Sequence, residues 1–92
     1  MQQKKTTLAE YGIAFRESAA KELRGLPLIV VLRVEEAIER LRQMPRPVGV
    51  RKLRGHSHTY RVRVGDYRVV YEIFDELYQI IVVKVRHRKD VY

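Results

Sequence analysis

The chain has 92 residues, the size of one small domain, and its 46% hydrophobic and 33% charged residues are typical of a globular protein rather than a disordered or fibrous one. It contains no cysteine, which excludes disulfide frameworks, thiol catalysis and zinc sites built on cysteine. The net charge is +8 and lies mainly in the second half, where residues 46–92 hold 11 Lys and Arg against 5 Asp and Glu, so a nucleic acid or an acidic protein partner is expected.

The beginning of the chain is polar. Residues 1–7 carry Lys4 and Lys5 and are followed by no apolar stretch long enough for a signal peptide. We therefore expect a flexible extension at 1–7, a single domain at 8–92 and a cytoplasmic protein. The longest apolar run, Leu26 to Leu32, is far shorter than the roughly 20 residues that span a bilayer, so no membrane partner is expected.

Two helices are predicted after a short first strand. Glu10 to Phe15 alternates weakly and predicts the strand, and Arg16 to Arg24 predicts a helix that Gly25 caps. Pro27 suits the first turn of a second helix, which Pro45 and Pro47 end. The apolar positions of this second helix are Val31, Val34, Ile38 and Leu41.

A sheet is predicted after the helices, from segments rich in Val, Ile and Tyr. Short turns separate these segments, so the strands should be antiparallel. The expected fold class is α+β, in which an N-terminal strand precedes a helical hairpin packed on one face of a three- to four-stranded antiparallel sheet. The segments are Thr59 to Val64, Tyr67 to Phe74 and Tyr78 to Arg86, with turns at Gly65–Asp66 and at Asp75 to Leu77 and a further strand near Val50 to Leu53.

Side chains alternate between the two faces of a strand. The odd or even position of a residue within its strand, which we call its parity, therefore predicts the face on which its side chain lies. The predicted core face carries Tyr60, Val62, Val64, Tyr67, Val69, Tyr71, Ile73, Ile81, Val83 and Val85. The predicted open face carries Arg61, Arg63, Arg68, Glu72, Lys84, Arg86 and Arg88. It also carries an apolar strip that could seat a partner segment, formed by Val70, Phe74, Ile80 and Val82. A basic strand face that is simply solvated is the alternative.

Three segments resemble the RelE branch of the RelE/ParE toxin superfamily, and the resemblance covers nearly the whole chain from Tyr11. It implies a helical hairpin on an antiparallel sheet and metal-free cleavage of messenger RNA in the ribosomal A site. No cofactor is implied. The segments are RKLRG at Arg51 to Gly55, YRVRVGDYRVVYEI at Tyr60 to Ile73 and VRHRKDVY at Val85 to Tyr92.

The resemblance also assigns site residues. The implied catalytic positions are Arg61, Arg63, Arg68, Arg88 and Tyr92, the last of which stacks on a base in relatives. The chain departs from the family at the first two positions, which are often lysine, and in its shorter segment between Arg88 and Tyr92. Five further basic residues are expected to grip the RNA backbone or to be solvated charge: Arg51, Lys52, Arg54, Lys84 and Arg86.

Arginine suits only part of the chemistry of RNA cleavage. Its planar fork can hold two phosphate oxygens, but its pKa above about 12 makes it a poor proton carrier. Histidine is the residue type suited to proton transfer near neutral pH, so His87 is a candidate base, although its parity points away from the arginines and a structural or stacking role is equally expected. A frayed terminus is the alternative for Tyr92.

A His-x-His pair, His56 and His58, lies in a predicted loop. Without cysteine or a clear third ligand, we expect a loop or an RNA contact there and no metal.

The resemblance implies an acidic, partly disordered, RelB-like antitoxin that covers the basic face and forms an oligomer with the toxin. Two other functions stay open. One is inhibition of DNA gyrase, as in ParE-like toxins of the same fold, and the other is RNA binding without catalysis.

Overall fold

The computed structural model describes residues 10–90, so the expected extension at 1–7 lies outside the described residues. These residues form five strands and two helices in the order β1, α1, α2, β2, β3, β4, β5, and short 3-10 turns follow β4 and β5. Neither helix of residues 10–90 has the length and apolar character needed to cross a membrane. The elements are β1 Gly12–Phe15, α1 Glu17–Arg24, α2 Leu28–Arg40, β2 Arg51–Lys52, β3 Thr59–Val64, β4 Tyr67–Phe74 and β5 Gln79–His87, with turns at Asp75–Leu77 and Arg88–Asp90.

Both helices lie where the sequence predicts them. The first ends at Gly25, whose backbone N–H donates to the carbonyl of Lys21 at 3.1 Å. Gly25 keeps an ordinary helical φ of −82°, so the cap does not use the left-handed conformation. Pro27 stands just before α2, and its carbonyl accepts the first helical hydrogen bonds, from Val30 at 2.9 Å and Val31 at 3.0 Å.

The sheet has the strand order β1-β5-β4-β3-β2. Four strands are antiparallel neighbours, as predicted, while β1 joins the edge beside β5 in a parallel pairing. The α+β class is confirmed, and the strand count rises to five because the first strand and the short β2 both pair. The hairpin turn at Gly65 and Asp66 is also confirmed, with Gly65 at a φ of +60° that glycine tolerates.

The two helices cover one face of the sheet, and among residues 10–90 no helix covers the other, which we call the open face. Each fully buried aliphatic side chain contributes about 1.5–3 kcal/mol, so this single layer contact is the main source of stability. The core consists of Ala19, Leu23, Val34, Ile38, Leu41, Val69, Tyr71, Ile73, Ile80, Val82 and Val85.

A β-bulge interrupts β5. On β4, Val70 pairs with Lys84 and the next residue, Tyr71, pairs with Val82. Val83 therefore has no partner on β4 and is the extra residue of the bulge. The alternation of side chains between the two faces of β5 is interrupted at Val83, so the residues before it and after it do not follow one odd–even pattern.

The bulge overturns part of the predicted face assignment. Ile80 and Val82, which were expected on the open face as part of a partner-binding strip, lie in the core with 0% exposure. Ile81, expected in the core, pairs with Glu72 on the open face. The prediction was wrong before the bulge because parity assumes an unbroken strand, and it is right after the bulge, where Val85 is buried.

Candidate functional site

Three arginines form a row across the open face. Arg68 on β4 lies directly opposite Arg63 on β3 and opposite Arg86 on β5. Side chains that face each other in this way have Cβ atoms about 4.5–5.5 Å apart. The sheet therefore places arginine residues from three strands next to one another on one face, as parity predicted for these residues.

A second row crosses the face beside the first, with Val70 at its centre. Arg61 and Lys84 are its direct neighbours on β3 and β5. On its own strand, Arg68 and Glu72 lie two residues away on the same face. Val70 is only 4% exposed, so it is the apolar floor of a site whose walls are three cations and one carboxylate, rather than a surface strip.

The Arg68 side chain has an unmet hydrogen-bonding capacity. Its Nε atom is buried and has no acceptor among residues 10–90. A buried donor without a partner costs about 1–3 kcal/mol, and an oxygen supplied by a ligand would remove that cost. A phosphate oxygen is a suitable acceptor, because it forms charge-assisted hydrogen bonds with guanidinium groups.

A shallow cavity of about 280 Å³ lies at the edge of the same face, and Arg51, Arg61 and Arg63 line it together with Val48 and Gly49. Three cations around one opening suit an anion. Arg51 is thus joined to the site, because it pairs directly with Arg61.

Two other predicted RNA contacts lie elsewhere. Lys52 pairs with Tyr60, so its side chain belongs to the opposite face of the sheet. Arg54 is exposed in the turn that follows β2. The structure brings neither of them into the rows of the open face.

Two basic groups near the end of β5 have carboxylate partners. Nε of Arg86 donates to Oε2 of Glu22 at 2.7 Å, and Nε of Arg88 lies 3.9 Å from Oδ1 of Asp66. The second pair is long and well exposed, so it holds Arg88 only loosely. Arg86 is therefore partly neutralised at the end of its row, while Arg88 extends beyond it from the final turn.

His87 faces away from the arginine row, in agreement with its parity. It pairs with Tyr67, and the two rings meet edge to face at 5.1 Å. Its Nδ1 accepts a hydrogen bond from the backbone N–H of Lys89 at 3.2 Å. Tyr92 lies outside the described residues.

The remaining predicted residues lie at the far end of the open face. Phe74 is half-buried and its ring lies 4.9 Å from that of His58, so this part of the apolar strip is covered by an aromatic neighbour. His56 is exposed in the loop between β2 and β3. Within residues 10–90 no three His, Asp or Glu side chains are grouped to hold a metal ion.

A polar network on the helix-covered side of the sheet fixes the loop after α2. Asp75 accepts hydrogen bonds from Nη2 of Arg46 at 2.7 Å and from the hydroxyl of Tyr11 at 2.6 Å. The hydrogen bond from Arg46 lowers the pKa of Asp75 to about 2. The Arg46 guanidinium also lies 5.0 Å above the ring of Tyr60, and the hydroxyl of Tyr71 donates to the carbonyl of Pro45 at 2.7 Å.

Sequence reasoning gave no role to Glu72 or to Arg16, although parity did place Glu72 on the open face. In the structure an oxygen of Glu72 lies 3.6 Å from Nη2 of Arg16, at the end of β1. The pairing of β1 with β5 brings Arg16 to this face, and that parallel pairing was not predicted.

Comparisons with known proteins agree with one another. A family model described as ParE toxin of type II toxin-antitoxin system, parDE, matches residues 13–92. Toxin RelG of Mycobacterium tuberculosis is 35% identical over 83 residues, which cover 89% of this chain and 95% of the relative. The mRNA interferase toxin RelE of Escherichia coli K12 is 33% identical over 86 residues, which cover 89% and 90%. The archaeal RelE of the RelE–RelB complex from Pyrococcus horikoshii OT3 superposes with a TM-score of 0.78 at 30% identity, covering 89% of this chain and 99% of that one. The chain therefore belongs to the RelE family of the RelE/ParE toxin superfamily, the toxins of type II toxin–antitoxin systems.

Proposed function

We propose that this toxin is an endoribonuclease that cuts messenger RNA on the ribosome and thereby inhibits translation. The observation that carries the proposal is the row of Arg63, Arg68 and Arg86 beside Arg61 and Lys84. In this row the buried Nε of Arg68 has no acceptor among residues 10–90. A relative from Escherichia coli that is 33% identical is named an mRNA interferase, which supports the same activity.

The basic residues suit cleavage by the neighbouring 2′-hydroxyl. In that reaction negative charge accumulates on a five-coordinate phosphorus, and fixed positive groups stabilise it. Guanidinium groups do this without a metal, since each can hold two phosphate oxygens and stays ionised. Arg61, Arg63 and Arg68 would orient and neutralise the scissile phosphate, while Arg88 and Tyr92 would act at the end of the chain, where Tyr92 could stack on an unpaired base.

An antitoxin is the second proposed partner. RelB is the partner of RelE in the complex from Pyrococcus horikoshii, and the +8 net charge of this chain suits an acidic protein. We therefore propose a RelB-like antitoxin that covers the open face in the cytoplasm and assembles with the toxin into an oligomer.

Inhibition of DNA gyrase is the alternative function, because the matching family model carries the ParE name. The basic residues at the nuclease positions favour the nuclease. A toxin that binds RNA without cutting it is the third candidate.

One induction experiment separates the three. The wild type, Arg68→Ala and Arg33→Ala would be induced in cells, and mRNA 5′ ends and plasmid supercoiling measured together. Arg33 is an exposed arginine of α2, so it is a control of the same residue type on the other side of the molecule. We expect codon-positioned cuts that Arg68→Ala abolishes and Arg33→Ala retains. Altered supercoiling with intact mRNA would favour the gyrase inhibitor, and growth arrest with neither change would favour the binding module.

A further inference from the structure

The cations of the open face leave one task of the proposed reaction without a group. The 2′-hydroxyl must lose a proton before it attacks phosphorus, and arginine is too weak a base to take it. The three long strands of the sheet, β3 to β5, contain a single carboxylate, Glu72. It lies on the open face, two residues from the floor residue Val70.

Among residues 10–90, the charged residues that the strand pairings and ion pairs place near Glu72 are cations. Its direct neighbours across the sheet, Thr59 and Ile81, are uncharged. Arg61 is its diagonal neighbour on β3, a position roughly 7–8 Å away that long side chains can reach. Lys84 lies beyond the bulge on β5, opposite Val70. The other charged contacts on this face are Arg16, 3.6 Å from the carboxylate, and Arg68, on the far side of Val70.

Glu72 lies where a group that removes the proton of the 2′-hydroxyl is needed, beside the proposed place of the phosphate. A phosphate over Val70 would be held by Arg61, Lys84 and Arg68, and Glu72 completes the ring around it. The side chain of Glu72 is 24% exposed, so a ribose hydroxyl beside the phosphate can reach it. A general base must lie within hydrogen-bond reach of the proton that it removes.

We propose that Glu72 is the general base of the cleavage reaction, an inference that rests on the proposed function. Its carboxylate takes the proton of the 2′-hydroxyl, the 2′-oxygen bonds to phosphorus, and the bond from phosphorus to the 5′-oxygen breaks. The 5′-oxygen takes a proton from water, and Glu72 returns its proton to the resulting hydroxide. The products are a 2′,3′-cyclic phosphate and a 5′-hydroxyl end. Arg16 is a positioning residue that orients the carboxylate.

The test compares Glu72→Gln, Glu72→Asp and the wild type in single-turnover cleavage of mRNA on programmed ribosomes. Glu72→Gln should lower the rate about 10²- to 10⁴-fold, the usual contribution of a general base. Its affinity for an mRNA with a 2′-deoxy residue at the cut site should be equal or higher, because a negative charge has left a basic surface. Glu72→Asp should recover part of the rate. The cleavage rate of the wild type should fall toward acidic pH, and this fall should disappear only in the glutamine variant.

Two controls separate chemistry from structure. Glu36→Gln makes the same change in charge at an exposed position of α2, and it should cut like the wild type. Arg16→Ala removes the ion pair but keeps the carboxylate, so its effect should be far smaller than that of Glu72→Gln.

The outcomes that overturn the assignment are distinct from those that overturn the nuclease. If the wild type cuts and Glu72→Gln cuts within about threefold of it, Glu72 is not the base and the nuclease stands. The same conclusion follows if its rate falls only in parallel with affinity or stability. If the wild type cuts no mRNA, the proposed function fails and the Glu72 assignment fails with it.

Discussion

Glu22 of α1 accepts a hydrogen bond from Nε of Arg86 on β5 at 2.7 Å, and its second carboxylate oxygen accepts the backbone N–H of Val85 at 3.0 Å. Strand β1 covers β5 only as far as Val82, which pairs with Phe15. Beyond that point a side chain of the first helix takes the place of a strand. Glu22 thus satisfies an edge donor and restrains a basic group of the open face.

Replacing Glu22 should therefore destabilise the fold. Glu22→Ala leaves the Val85 N–H without this acceptor and should lower the free energy of unfolding by about 1–3 kcal/mol. Glu22→Gln should cost less, because its amide oxygen can still accept that hydrogen bond and a partly exposed ion pair contributes only about 0–1 kcal/mol. Urea denaturation measures both, with Glu35→Ala on the exposed side of α2 as control. Equal stability of Glu22→Ala and the wild type would contradict this role.

Replacing Arg68 should lower the cleavage rate without lowering the stability of the fold. Arg68→Met removes a buried donor that has no acceptor among residues 10–90, so the free energy of unfolding should stay the same or rise. Cleavage should fall about 10²- to 10³-fold, the typical loss when a preorganised donor to the transition state is removed. Urea denaturation and single-turnover cleavage would be measured on the same preparations, with Arg33→Met as control. A variant that is both less stable and fully active would show that Arg68 is structural.

The ion pair between Arg46 and Asp75 should make stability depend on pH in acid. The hydrogen bond from Arg46 lowers the pKa of Asp75 from 3.8 to about 2, so the folded state binds this proton less readily than the unfolded state. The stabilisation is complete above pH 3.8 and is lost as the pH falls through about 2. Asp75→Asn should be less stable than the wild type at neutral pH, and the difference should shrink toward pH 2. A difference that stays constant across a pH series of urea denaturations would refute this linkage.

Lys84 should contribute to RNA binding as a phosphate contact. On single-stranded RNA each contact adds about 0.7 to the slope of log affinity against log salt concentration. Lys84→Met should reduce that slope by about this amount and weaken binding similarly for all sequences. Lys21→Met, on α1, should leave the slope unchanged. An unchanged slope in Lys84→Met would place Lys84 outside the RNA path.

The extra residue of the bulge, Val83, should be dispensable for the faces of β5. Val82 pairs with Tyr71 and Lys84 pairs with Val70, so deleting Val83 joins a core position directly to an open-face position. Regular alternation is then restored with every other side chain of β5 on its present face, and we expect cooperative urea unfolding and cleavage to be retained. Deletion of Val62, on the unbroken strand β3, is the contrast and should abolish cooperative unfolding, because it moves part of that strand to the wrong face. Loss of cooperative unfolding on deletion of Val83 would show that the bulge itself is required.

Much of the fold was accessible from local patterns. The bounds of β3 and β4 agree with the predicted segments, because hydrophobic alternation and the Gly65–Asp66 turn are signals carried by neighbouring residues. The convergence of Arg61, Arg63 and Arg68 was predictable for the same reason, since two unbroken strands joined by a tight turn keep their register.

The sequence by itself determined the class of the fold, the helices and strands, and the grouping of arginines on the face away from the helices, since periodicity and turn chemistry are local properties. Tertiary structure alone decided the bulge at Val83, the parallel pairing of β1 and the seat of Glu72 beside Arg16. Those features arise between segments that are distant in the chain, where the register of a pairing depends on how the whole sheet fits its helices.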